Sequence, residues 1–143
     1  MKKVNVIYWS GTGNTEIMAK AVADGAKLGG AEIKLMEAGR ASINDVMEAD
    51  AVALGCPSMG CEVLEEAEME PFVAALEAVG LKGKQLALFG SYDWGDGQWM
   101  RDWEERMEAA GADLLGIGLT LQNTPDDSGI KVCIELGRKL SEA

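Results

Sequence analysis

Histidine is absent from this 143-residue chain. That removes the commonest general acid–base and the commonest transition-metal ligand. Cysteine is scarce: three residues, an odd number, scattered with no pair at metal-ligand spacing. A disulfide framework and a cysteine metal site both lack support, and a reducing cytoplasm is the expected compartment. Positive charge is also in short supply. Thirteen Lys and Arg face 24 Asp and Glu, a formal net charge of −11. A nucleic-acid partner is disfavoured, because phosphate backbones are bound through Lys and Arg. Such a chain is steered instead toward basic partner surfaces. No apolar run is long enough to span a membrane. The short run that follows Met1-Lys2-Lys3 reads as a strand and lacks the features of a signal peptide.

What is present is a 48% hydrophobic content, sufficient for the core of a single domain over residues 1–143. Short apolar runs alternate with helix-period segments. Strands are expected at Val4 to Trp9, Ala31 to Met36, Ala51 to Leu54, Gln85 to Phe89 and Asp113 to Leu121. Helices are expected at Glu16 to Leu28, Ile43 to Glu48, Glu70 to Val79, Trp99 to Ala110 and Ser128 to Leu140. Gly29-Gly30, Gly80 and Gly111 stand where helices should stop, and Pro71 fits a first helical turn. Five β–α alternations imply an α/β fold, a parallel sheet covered on both faces. Runs without polar alternation fit strands buried on both sides.

The first strand breaks into Ser10-Gly11-Thr12-Gly13-Asn14-Thr15 and leads straight into a helix. Backbone N–H groups at a helix start, with hydroxyls around them, form an anion cradle. It lacks the Lys of a nucleoside-triphosphate loop. It also lacks the third glycine of a dinucleotide fingerprint, because Glu16 stands there. One terminal phosphate is the ligand group that remains; a turn with no ligand is the alternative.

In an open sheet of this kind ligands sit beyond the carboxyl ends of the strands. The loops after the first, third and fourth strands should therefore share one site. The second of these, Pro57-Ser58-Met59-Gly60-Cys61-Glu62, offers a polarisable Met. The third, Ser91-Tyr92-Asp93-Trp94-Gly95, offers an indole. Met59 and Trp94 together suit a planar conjugated ring. Cys56 and Cys133 read as small core residues, and Cys61 as an exposed thiol. Glu62, Glu65, Glu66, Glu68 and Glu70 form an acidic run that reads as a solvated face or a docking field.

Three motifs in this order resemble the flavodoxins, in particular the short-chain type of anaerobic bacteria. They are Tyr8-Trp9-Ser10-Gly11-Thr12-Gly13-Asn14-Thr15, then Met59-Gly60 with Glu62, then Gly90-Ser91-Tyr92 with Trp94-Gly95. The Asn123 to Pro125 turn completes them. The resemblance spans essentially the whole chain, with no insertion expected in the fifth strand. It implies a five-stranded, doubly wound sheet of order 2-1-3-4-5, non-covalently bound FMN, and one-electron transfer between redox enzymes. It assigns the phosphate to Ser10 through Thr15 and the two ring faces to Met59 and Trp94. The Gly60 carbonyl would accept from flavin N5–H after the Gly60–Cys61 peptide turns over, and Glu62 would hold N3–H. Ser91, Tyr92 and Asn123 would be polar contacts to the ring or ribityl chain. A monomer without a substrate reaction of its own is expected.

Acidic residues beside a flavin that becomes anionic on full reduction oppose that reduction. One charge about 7 Å away, at an effective dielectric near 20, costs on the order of 2 kcal/mol. That corresponds to on the order of 0.1 V for a one-electron couple. Glu62, Asp93 and Asp96 should therefore make this a low-potential donor. If the turned peptide needs positive φ at Cys61, that residue pays a penalty that glycine would not. Other readings of the fold fare worse. A flavin reductase needs a nicotinamide pocket, for which there is no spare segment. A receiver domain needs an Asp at the end of the third strand, where Leu54-Gly55-Cys56 stands. A Cys-x5-Arg phosphatase fails because Glu62 occupies the Arg position.

Overall fold

A computed structural model describes residues 2–143; Met1, at the head of the expected first run, lies outside the described residues. The elements are strand β1 (Lys3–Tyr8), helix α1 (Asn14–Leu28), β2 (Glu32–Glu37), a 3-10 turn (Ala38–Arg40), α2 (Ile43–Met47) and β3 (Ala51–Gly55). They continue with α3 (Met69–Val79), β4 (Gln85–Tyr92), α4 (Gln98–Ala109), β5 (Asp113–Leu114), β6 (Leu119–Gln122) and α5 (Asp127–Glu142). The strands pair in parallel in the order β2-β1-β3-β4, and both β5 and β6 then pair with β4. This is the expected 2-1-3-4-5 sheet, with its fifth position split in two.

The split corrects the expected continuous strand from Asp113 to Leu121. Gly116 takes a left-handed φ of +72°, which turns the chain out of the sheet. The Gly118 N–H then bonds the Glu104 carboxylate at 2.7 Å instead of β4. The uniformly apolar sequence hid this, because Ile117 is placed in solvent, 88% exposed. An open, mainly apolar groove of about 750 Å³ lies beside the break, against α5. β2 also departs from the expected double burial. It is an edge strand, with four of its six residues exposed.

Strand alternation sorts the core into two halves. Val4, Val6, Tyr8, Ala51, Ala53, Ala87 and Phe89 pack under α1 and α5. Ile7, Val52, Leu54, Leu86 and Leu88 pack under α2, α3 and α4, with Trp99 and Trp103. The α1–α5 layer is unusually tight. A Cβ on Gly25 would overlap the Ile134 carbonyl oxygen, and one on Gly137 would overlap that of Val22. The two helices therefore meet backbone to backbone. This packing holds α1, and with it the loop at its start, against the sheet.

Candidate functional site

Residues 9–13 join β1 to α1. Ser10 Oγ accepts the N–H groups of Gly13 and Glu16, each at 3.2 Å. Its own proton stays available to a ligand. Gly13, at φ +103°, turns the chain into the helix. Among the described residues, the N–H groups of Thr12, Asn14 and Thr15 have no protein acceptor. Helix starts leave such donors by construction, and here they surround a loop without a cation. The loop is fastened at two points. The buried Thr15 hydroxyl lies 2.8 Å from the buried Ser91 hydroxyl. Thr124 donates to Asn14 Oδ1 at 3.1 Å, a partner that the sequence did not single out.

The second loop closes on itself. Met59 and Val63 exchange N–H···O bonds, both 2.9 Å. Between them Gly60 has φ +50° and Glu62 has φ +56°. The positive φ expected of Cys61 in a turned peptide falls on its neighbours in this conformation. Nothing lies within 4 Å of a Cβ built on Gly60, and both Gly60 and Cys61 are exposed. Glu62 Oε1 accepts the N–H groups of Gly97 and Gln98, 3.2 Å each, at the start of α4.

The third loop carries Trp94, which is 62% exposed and stands outside the cleft. The cleft itself is about 120 Å³, lined by Trp9, Gly11, Thr12, Asn14, Pro57, Ser58, Met59, Ser91, Tyr92 and Asp93. It gathers residues of all three expected loops. Ser10, Gly13 and Thr15 shape the β1–α1 loop behind it. Gly60, Cys61, Glu62, Trp94, Gly95 and Asn123 lie outside the lining. Trp9 is the lining residue absent from the expected site, although it directly precedes the loop. A cleft this small holds only part of a drug-sized ligand, for which about 300 Å³ is a lower bound. A larger planar group would leave one edge in solvent.

The acids around the site are not equivalent. Asp96 pairs with Arg101 at 2.9 Å, and Glu62 sits on the positive end of α4. Asp93 has no cationic partner among the described residues. The acidic run from Glu62 to Glu70 is only partly the solvated face expected of it. Glu65 is buried and accepts the N–H groups of Ala67, Glu68 and Met69 at 2.7–3.0 Å, capping α3. Burial pushes its carboxyl upward, and the three donated hydrogen bonds outweigh burial and hold it below the usual range. Glu70 and Glu77 share Arg106 at 2.7 Å each. Burial pushes the Cys56 and Cys133 thiols up to about 12, in keeping with inert core residues.

Known proteins carry the same pattern. The family model described as Flavodoxin matches residues 6–137. A flavodoxin of Clostridium beijerinckii is 44% identical over 138 residues, covering 96% of this chain and 99% of that protein. One from Megasphaera elsdenii is 42% identical over 140 residues, covering 98% and 99%. The solution structure of two-electron reduced Megasphaera elsdenii flavodoxin superposes with a TM-score of 0.88 at 41% identity, over 98% of this chain and 99% of that one. With the sheet order, the three loops and these whole-length likenesses agreeing, the chain belongs to the flavodoxin family of small flavin-binding electron carriers.

Proposed function

We propose that this chain binds FMN non-covalently and acts as a low-potential one-electron carrier between redox enzymes, with no substrate reaction of its own. The observation that carries this reading is the set of unpaired N–H groups on Thr12, Asn14 and Thr15 in a loop without a cation. These donors and the Ser10 and Thr12 hydroxyls fit one terminal phosphate. The helix proceeds at once through Glu16, which leaves no glycine-lined path for a second phosphate and favours FMN over a dinucleotide.

When bound, FMN supplies a ring that takes up and releases one electron at a time. The residues of this chain hold that ring and set its surroundings. Met59 and Trp94 would cover its two faces, and Tyr92 and Asn123 would offer polar contacts. The Ser91 hydroxyl is already paired with Thr15, so Ser91 acts by bracing the phosphate loop. The Gly60 carbonyl, in an exposed turn, would serve as acceptor for an N–H at the ring edge. The Glu62 carboxylate is suited to the ring's N3–H. Uncompensated acid at Asp93 opposes negative charge on the ring and keeps the second potential low. Among the described residues no helix is long and apolar enough to cross a membrane. The −11 charge suits monomers that meet basic faces on partner reductases in a reducing cytoplasm.

Dithionite titration followed by visible spectroscopy tests this reading. A yellow protein that passes through a blue stage and releases FMN on denaturation is the expected result. A colourless protein that takes up no FMN overturns it.

A further inference from the structure

The loop that opens α1 holds one side-chain amide, that of Asn14. Asn14 lines the cleft, and its oxygen is already engaged: the Thr124 hydroxyl donates to Oδ1 at 3.1 Å. The oxygen and nitrogen of a carboxamide sit on one planar carbon, so an amide held by its oxygen presents its two N–H donors on the other side. Among the described residues Asn14 Nδ2 has no protein acceptor. It joins the unpaired backbone N–H groups of Thr12, Asn14 and Thr15 as a further free donor of the same loop.

Thr124 is itself firmly placed. Pro125 follows it, which confines the Thr124 backbone to extended conformations, and its branched Cβ limits χ1. Just before it, Asn123 takes φ +59° and donates its N–H to the Tyr92 carbonyl at 2.8 Å. Gln122 Nε2 donates to the Asp93 carbonyl at 3.2 Å. Residues 122–124 thus bond the end of β4, the loop after it and the loop that opens α1.

We propose that Thr124 is a positioning residue for the ligand's terminal phosphate. Its hydroxyl holds Asn14 by Oδ1, so that the side-chain amide turns donors rather than an acceptor to the anion. An unrestrained Asn14 is free to present Oδ1 instead, and an oxygen facing a phosphate oxygen is repelled. The phosphate in this role rests on the FMN reading; the Thr124–Asn14 bond belongs to the protein alone.

Affinities for FMN and for riboflavin, which differ by the phosphate alone, separate this role from general bracing of the site. Thr124→Val keeps the side-chain shape and loses the hydroxyl; Thr124→Ser keeps the hydroxyl. Thr124→Val should weaken FMN by roughly fivefold and leave riboflavin unchanged, whereas Thr124→Ser should lie within about twofold of wild type for both. In an Asn14→Ala background, Thr124→Val should cause no further loss of FMN affinity. In the apoprotein, three-bond couplings should report one χ1 rotamer for Asn14 in wild type and an average of rotamers in Thr124→Val. An unchanged FMN affinity in Thr124→Val, equal losses of FMN and riboflavin, or an undiminished loss in the Asn14→Ala background overturns the role at the phosphate. An Asn14 χ1 equally fixed in wild type and Thr124→Val overturns the hold itself. A wild-type chain that binds no FMN overturns the proposed function, and the apoprotein couplings still decide whether Thr124 holds Asn14.

Discussion

Asp93 is the acid at the site whose charge is least offset. Asp96 has Arg101 at 2.9 Å and Glu62 has the α4 amides, whereas Asp93 lines the cleft without a cation. Asp93→Asn should therefore raise the second one-electron potential, by roughly 50 mV after solvent and salt screening. Asp96→Asn should change it by less. Potentiometry on the two variants at one ionic strength checks this ranking, and an equal or larger shift for Asp96→Asn would contradict it. Glu65 shows how the same residue type serves a different end. Its folded carboxyl sits below the ordinary value near about 4.3, so its contribution to stability is present above that value and is lost as pH falls through the folded one. Urea unfolding of wild type and Glu65→Gln should show a stability gap at neutral pH that closes on acidification. A gap that widens in acid would mean that burial, not the three N–H donors, dominates this carboxyl.

The helices α1 and α5 meet through glycines, and the energetics can be weighed. Gly137→Ala gains up to about 1 kcal/mol of helix propensity. Its Cβ overlaps the Val22 carbonyl oxygen, and backbone cannot give way by changing rotamer, so overpacking of about 1–3 kcal/mol prevails. The expected result is a lower urea midpoint with an unchanged m-value; a higher midpoint would show that the helices separate at little cost. The elements themselves were largely legible in the sequence, because buried parallel strands and amphipathic helices write their period locally. The break at Leu115 to Gly118 was not, because Leu114-Leu115-Gly116-Ile117-Gly118-Leu119 is apolar whether it is buried or turned outward. The loop that opens α1 was legible because its donors are contained in six consecutive residues. The ties around it were not. Thr15 meets Ser91 across 76 positions, Asn14 meets Thr124 across 110, and Glu62 meets Gly97 across 35. Only folding reveals such pairs, and they turned two residues expected at the ligand, Ser91 and Glu62, into braces as well.

The whole molecule carries −11, Trp94 is exposed, and the neighbouring Asp93 lines the cleft. Association with a basic redox protein should be fast at low salt and slow as ionic strength rises, by about tenfold or more between 0.01 and 0.15 M. Stopped-flow electron transfer to such an acceptor measures this, and rates independent of salt would place the docking surface elsewhere. The backbone contact between α1 and α5 also reaches into how the molecule is made. During synthesis the N-terminal part of a chain leaves the ribosome first and begins to fold first. Here the loop at the start of α1 is made before α5, yet the helix behind it is braced by Gly137 of α5. A contact between elements so far apart in sequence is slow to close and must await the synthesis of α5. The loop that opens α1 is thus written well before α5 and finished only with it.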